Sequence, residues 1–212
     1  NQAGIEEGDK IAVMGKNNAN WVTTFLAAVT YGAVIVPILQ DFKANDAIHI
    51  VNHSESKLLF ITDLIWENID AEQVPELKAV LSLNNMDMIL SRLPMEQAVD
   101  KMTIEDLFAE KYPNGFSIND VHYIERSNAE LASINYTSGT SGFSKGVMIP
   151  YRAIFSNIQF AKMALPQLNH TSNVVSMLPC AHMYGLMFEV LYELSVGCHV
   201  HFLSRLPSPK II

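Results

Sequence analysis

The sequence predicts a three-layer α/β/α fold in which helices cover both faces of a mostly parallel β-sheet. Two observations carry this expectation. Short apolar runs of strand length alternate with segments whose apolar residues recur at helical spacing. The strand-like runs are continuously apolar, as strands buried on both faces are. A third observation is a loop rich in Gly, Ser and Thr at the end of one such run, where an open α/β sheet places its ligand.

Taken in order, Lys10-Ile11-Ala12-Val13-Met14 forms a first strand. Asn18 is placed to cap a helix through Trp21, Val22, Phe25, Leu26, Ala28 and Val29, and Gly32 ends it. Residues 33–36 make the next strand, which stops before Pro37. Asp46 begins a helix through Ile48, Ile50 and Val51, residues 57–61 are a third strand, and residues 77–81 a weaker fourth. Residues 84–128 are the least regular, although Ile104, Leu107 and Phe108 suit a short helix, and Asn114-Gly115 and Ser127-Asn128 mark turns. A subdomain join is expected between 120 and 130, dividing the chain into residues 1–125 and 126–212. Beyond it, residues 131–135 and 147–150 read as strands, Tyr151–Ala164 as a helix and 173–177 as a strand. Residues 186–195 follow as a helix and 198–202 as an alternating strand.

Composition narrows the function classes. The chain has 212 residues, 49% of them hydrophobic and 17% charged, which is the balance of a globular protein with a sizeable core. A net charge of −8 with scattered Lys and Arg opposes a nucleic-acid partner, which would need a basic patch. Cys180 and Cys198 lie in apolar settings without Cys-x-x-Cys spacing, so reduced thiols and a cytoplasmic protein are expected. No apolar stretch approaches the roughly 18 residues of a membrane span. The chain opens on Asn1-Gln2-Ala3, without Met and without the pattern of a signal peptide, and reads as a piece of something longer.

The run 136–148 is Tyr-Thr-Ser-Gly-Thr-Ser-Gly-Phe-Ser-Lys-Gly-Val-Met. Seven of its first ten residues are Gly, Ser or Thr, followed by Lys145. Such a loop offers many backbone N–H groups and hydroxyls and ends in a positive charge, which suits a polyphosphate. It is not a Walker loop, because Lys145 precedes Gly146 and an apolar run ended by Pro150 follows in place of a helix. The expected geometry is strand, hairpin loop, strand. A flexible tether is the plainer reading of such composition, but tethers are rarely flanked on both sides by strand-like runs. A second constellation, Leu178-Pro179-Cys180-Ala181-His182-Met183-Tyr184-Gly185, follows a strand and precedes a helix, which places His182 at a strand's C-terminal end beside the loop in the sheet. A lone histidine in apolar company is more often structural than functional; a loop bounded by Pro and Gly tilts it towards function. His199 and His201 fall on one face of a strand without a third ligand, so a solvent-facing role outweighs a metal site.

Tyr136 to Val147 resembles the phosphate-loop signature of the adenylate-forming enzymes, which include acyl-CoA synthetases, peptide-synthetase adenylation domains and firefly luciferase. The family usually carries Thr at the position of Ser141 and Pro at that of Ser144; Ser141 keeps the hydroxyl, and Ser144 loosens the turn. Gly8-Asp9, Asn17-Asn18, Trp21 and Gly32 to Pro37 are similar to the family's first βαβ unit and read as scaffold, with Trp21 as core. Leu178 to Tyr184 resembles the form taken in long-chain acyl-CoA synthetases, which implies the partial N-terminal domain of an acyl-CoA synthetase-like fold.

The resemblance implies that a carboxylate attacks the α-phosphorus of Mg-ATP to give acyl-adenylate and pyrophosphate, and that coenzyme A then displaces AMP. Thr137, Ser138, Gly139, Thr140, Ser141, Gly142 and Lys145 would cradle the phosphates, with Thr140 at Mg2+. Lys145 and His182 would be the catalytic residues, and His182, Tyr184 and Gly185 would face the fatty acid. A long-chain substrate would allow peripheral contact with a membrane, although no basic amphipathic helix appears in the sequence to support it. The Tyr-Gly-x-Thr-Glu and Thr-Gly-Asp segments of the family are absent before Ile212, so the chain alone is expected to be inactive. An adenylation domain for an amino or aryl acid, and a non-catalytic nucleotide-binding scaffold, are the alternatives.

Overall fold

The computed structural model describes residues 3–93, 104–121, 123–137 and 145–203. Its centre is a seven-stranded sheet built from β1 (Lys10–Met14), β2 (Val34–Ile38), β3 (Ser56–Ile61), β4 (Ala79–Ser82), β5 (Met88–Ser91), β6 (Leu131–Thr137) and β7 (Lys145–Pro150), in the order β5-β4-β3-β1-β2-β6-β7. The five inner strands are parallel, whereas the edge strands β5 and β7 run antiparallel to their neighbours. The mostly parallel three-layer expectation holds.

The helices form where sequence chemistry asks for them. Asn18 is extended and its Oδ1 accepts from the Trp21 N–H at 2.7 Å, so α1 (Ala19–Tyr31) starts on a true cap. Gly32 ends it in the left-handed region at φ 89°, where a side chain would also meet Arg126. The next helix, α2 (Ala44–His53), begins two residues before Asp46, and its cap residue Lys43 supplies no side-chain hydrogen bond. A short helix α3 (Asp63–Trp66) follows β3, and α4 (Ile104–Lys111) falls where a short helix was expected.

Alternation along the strands splits the core in two. Ile11, Val13, Ile35 and Leu58 face Trp21, Phe25 and Ala28 of α1, together with Cys180, Ala181, Leu186 and Val190 from far along the chain. Ala12, Met14, Val36, Ile38, Leu59 and Ile61 face Ala47, Ile50 and Val51 of α2. Trp21 and Phe25 are buried and stacked with centroids 5.9 Å apart, which makes Trp21 a core residue as expected. Burial of each such side chain contributes about 1.5–3 kcal/mol. At the foot of β1, burial alone would raise the Asp9 carboxyl, but hydrogen bonds from Lys57 Nζ (2.6 Å) and the Glu6 N–H (2.8 Å), with the Lys57 charge, hold it below the usual range.

Four expectations need correction. β2 runs through Pro37 and does not stop before it. Val34 donates to Asp9 on the β1 side, so alternation turns the Pro37 nitrogen towards β6, where the registered pairing is Ile35 with Ser133 only. The missing N–H therefore breaks no bond. Strand β5 lies in the stretch read as irregular; it is a short, partly exposed edge strand with little apolar periodicity to betray it. The strand of residues 173–177 is β8 (Asn173–Ser176), and it pairs in parallel with β9 (His199–Phe202) in a separate two-stranded sheet. The segment carrying His182 thus does not leave from the strand order of the main sheet. Finally, the helix expected over 186–195 begins earlier, as α6 (Met183–Leu186), continues as a π-helical segment over Met187–Leu191, and finishes as α7 (Tyr192–Ser195). Helix α5 (Tyr151–Ala164) matches its expectation.

Candidate functional site

Strands β6 and β7 form the stem of a hairpin. Their register sets Tyr136 opposite Gly146 and Thr137 opposite Lys145, so the two described ends of the Gly/Ser/Thr run face one another. Ser138, Gly139, Thr140, Ser141 and Gly142, with Phe143 and Ser144, lie outside the described residues. Thr137 and Lys145 are exposed at the open end of the stem, which leaves their side chains free to reach a ligand in solvent.

Just below them the stem is tied down. Tyr136 is buried, and its hydroxyl sits 2.7 Å from Nδ1 of His53 at the end of α2. Burial pushes the phenol above its usual range, and the hydroxyl shares one hydrogen bond with the ring nitrogen. Gly146 leaves room for this arrangement: a Cβ there would fall 2.8 Å from Ile134 Cγ2 and 3.2 Å from Tyr136 Cζ. The tyrosine ring and Ile134 occupy the place of a side chain at 146.

The opposite face of β6 carries a polar pair. Ser133 donates to Asn135 at 2.7 Å, and the Asn135 amide reaches the Ala181 carbonyl at 3.4 Å. Through Asn135 the histidine loop rests on the same strand that ends in Thr137. The loop's backbone bonds come from two distant side chains. Asn17, just after β1, donates to the Leu178 carbonyl at 2.6 Å and accepts from the Cys180 N–H at 2.8 Å. It also reaches Ser176 Oγ at 3.4 Å. Glu189, in the π-helical segment, accepts from the Met177 and Leu178 N–H groups at 2.7 and 2.8 Å. Buried between them, the Cys180 thiol is pushed up to about 12, chiefly by desolvation, and is inert as a nucleophile.

His182 is exposed and caps α6, its Nδ1 accepting from the Tyr184 N–H at 3.3 Å. With Nδ1 occupied, the neutral ring carries its hydrogen on Nε2, a donor suited to a carboxylate oxygen. Tyr184 stands exposed beside it and packs against Phe188 (4.9 Å between centroids), which in turn meets Phe160 edge-on at 6.4 Å. This aromatic ledge next to a ring donor is the right company for an apolar acid. Gly185 has a different setting from the one its motif suggested. It is buried, and a Cβ would lie 2.8 Å from the Pro179 carbonyl oxygen and 2.9 Å from Leu178 Cβ. The close approach it permits is that of its own loop.

His199 and His201 are both exposed, and His201 Nε2 pairs with Asn173 Oδ1 at 2.9 Å. Both cysteines are free and buried. Among the described residues no helix is long and apolar enough to cross a membrane. Asn17 was read from the sequence only as scaffold and Glu189 was missed: their contacts to the loop span 161 and 11 residues.

The described residues thus join a hairpin stem at one end of β6 to a histidine loop that rests on the same strand. The chain belongs to the AMP-binding enzyme family, whose model matches residues 1–212. It is 26% identical over 190 residues to long-chain-fatty-acid–CoA ligase 5 of Rattus norvegicus, covering 84% of this chain and 27% of that protein. To the medium-chain fatty-acid–CoA ligase of Escherichia coli (strain K12) it is 25% identical over 203 residues, covering 92% of this chain and 33% of that one. The crystal structure of ATP-bound MatB from Rhodopseudomonas palustris superposes with a TM-score of 0.73 at 20% identity, over 99% of this chain and 38% of MatB. The chain thus spans about a third of the length of the relatives it matches.

Proposed function

We propose that the protein carrying this chain is an ATP-dependent acid–thiol ligase acting on a long-chain fatty acid. The carboxylate oxygen bonds to the α-phosphorus as pyrophosphate leaves, and the coenzyme A sulfur then bonds to the acyl carbon as AMP leaves. The observation that supports this best is the convergence on β6: Thr137 and Lys145 at its open end, and the loop of His182 on its face through Asn135. Lys145 meets the charge that builds on the departing pyrophosphate, with Thr137, Ser138, Gly139, Thr140, Ser141 and Gly142 around the phosphates. Thr140 is the proposed contact for Mg2+, which when bound screens the same charge. His182 orients the acid through Nε2–H, and the Tyr184 ledge takes the start of the acyl chain. A cytoplasmic setting with peripheral membrane contact belongs to the same proposal, because the substrate partitions into bilayers.

The test is carboxylate-dependent ATP–pyrophosphate exchange, with hexadecanoate set against amino and aryl acids. Exchange with hexadecanoate is expected, and Lys145→Ala should lower its rate about 100-fold, the usual effect of removing one transition-state donor. Exchange driven only by amino or aryl acids would remove the fatty-acid assignment. An ATP dependence untouched by Lys145→Ala would remove the role of the loop.

A further inference from the structure

We propose that Asn17 is a positioning residue for the carboxylate-binding loop, acting with Glu189 to hold His182 in place. The role of His182 rests on the function proposed above; the holding of the loop does not. The residues from Met177 to Cys180 have lost the ladder of β8 and have not yet entered α6, so their polar backbone groups need other partners. Two side chains supply them. Glu189 takes the Met177 and Leu178 N–H groups at 2.7 and 2.8 Å, and Asn17 takes the Cys180 N–H at 2.8 Å. Pro179 has no N–H to satisfy. The Asn17 amide also gives its own N–H to the Leu178 carbonyl at 2.6 Å, and the Pro179 carbonyl accepts from the His182 N–H at 2.9 Å.

Every backbone N–H in the four residues before Ala181 is therefore held by a side chain from outside the loop. One of those side chains is fixed to the sheet. Asn17 lies three residues beyond the end of β1 and one before the cap of α1, which are buried and central. Only a primary amide serves here, because the site needs an acceptor for Cys180 and a donor for Leu178 on one planar group. The other side chain belongs to the π-helical segment; one extra residue per turn is a common device for turning a side chain towards a site. Asn17 thus relays the position of the sheet to His182 without facing the substrate itself.

The experiment compares Asn17→Ala, Asn17→Asp and Glu189→Gln with Asn52→Ala. Asn52 makes a similar amide-to-carbonyl bond, to Gln73 at 2.7 Å, remote from the loop, so its loss controls for stability. In the active protein, Asn17→Ala should raise KM for the carboxylate about tenfold while KM for ATP stays within twofold. Asn17→Asp, which keeps the acceptor and loses the donor, should do the same, whereas Glu189→Gln keeps an acceptor oxygen and should stay within threefold. Equal shifts in both KM values, or no shift in either, overturn the positioning role.

Amide hydrogen exchange on the chain itself separates this outcome from failure of the ligase assignment. Asn17→Ala should speed exchange at Cys180 by tenfold or more, and Asn52→Ala should have no effect there. Should the unmodified protein activate no carboxylate, fast exchange at Cys180 in Asn17→Ala still supports the holding of the loop. Unchanged exchange refutes it.

Discussion

Gly185→Ala gives a sharp reading of how tightly the histidine loop is packed, because two effects of opposite sign compete. Gly185 sits inside α6, and alanine in a helix interior is favoured over glycine by about 1 kcal/mol. If the loop could move aside, the substitution would stabilise the protein. The added Cβ, however, would stand 2.8 Å from the Pro179 carbonyl oxygen and 3.2 Å from that of Leu178. Both are backbone atoms, and the segment is pinned by Asn17 and Glu189, so several tenths of an ångström must come from the loop itself. Overpacking of this kind costs about 1–3 kcal/mol. The net expectation is destabilisation of up to about 2 kcal/mol, or a fall of up to about 8 °C in Tm for a domain of this size. Urea unfolding followed by far-UV circular dichroism measures it. A midpoint at or above that of the unmodified chain would show that the loop yields freely, and the rigid setting of His182 would have to be abandoned.

Two further perturbations test the surroundings of the site. Tyr136→Phe keeps the ring over Gly146 but removes the 2.7 Å bond to His53; since His53 is exposed and regains water, a loss of about 1 kcal/mol is expected. Equilibrium unfolding measures it, and an unchanged stability would mean that the bond does not tether the stem in solution. Glu193 is 1% exposed, and its carboxyl is raised above the usual 4.5, first by burial and then by the charge of Glu189. The native state therefore binds this proton more tightly than the unfolded chain does. Its stabilising effect is complete below about pH 4.5 and is lost as pH rises through the native value. Glu193→Gln should accordingly raise Tm at pH 8 and lose that advantage at pH 4, and a Tm gain independent of pH would refute the assignment.

The sequence made the inner sheet legible because buried parallel strands are continuously apolar. Lys10–Met14 and Tyr151–Ala164 fall on their predicted bounds, and Asn18 and Gly32 cap α1 as their residue types require. Strand β5 was not legible, since a short edge strand needs little apolar content. Pro37 misled because proline's cost in a strand depends on which neighbour its nitrogen faces, a property of sheet order. At the site, motif composition pointed to both ends of the hairpin and to His182. It marked Asn17 only as scaffold and passed over Glu189, because both act through contacts made across the fold. Gly185 was expected to face the fatty acid, but the group that approaches it closely is the protein's own backbone.

The 161 residues between Asn17 and Leu178 have a consequence for the order in which this molecule is made. The strands β1 to β4 and the helices between them leave the ribosome before the loop of His182 does, and they pair with one another. The loop of His182 cannot be held until Glu189 has been synthesised, and its contact with Asn17 closes the longest circuit among the bonds at the site. Closure entropy grows only slowly with the length of such a circuit, by about 0.6 kcal/mol per doubling. The delay is therefore one of synthesis more than of free energy: β1 to β4 can pair before the loop of His182 has its anchors.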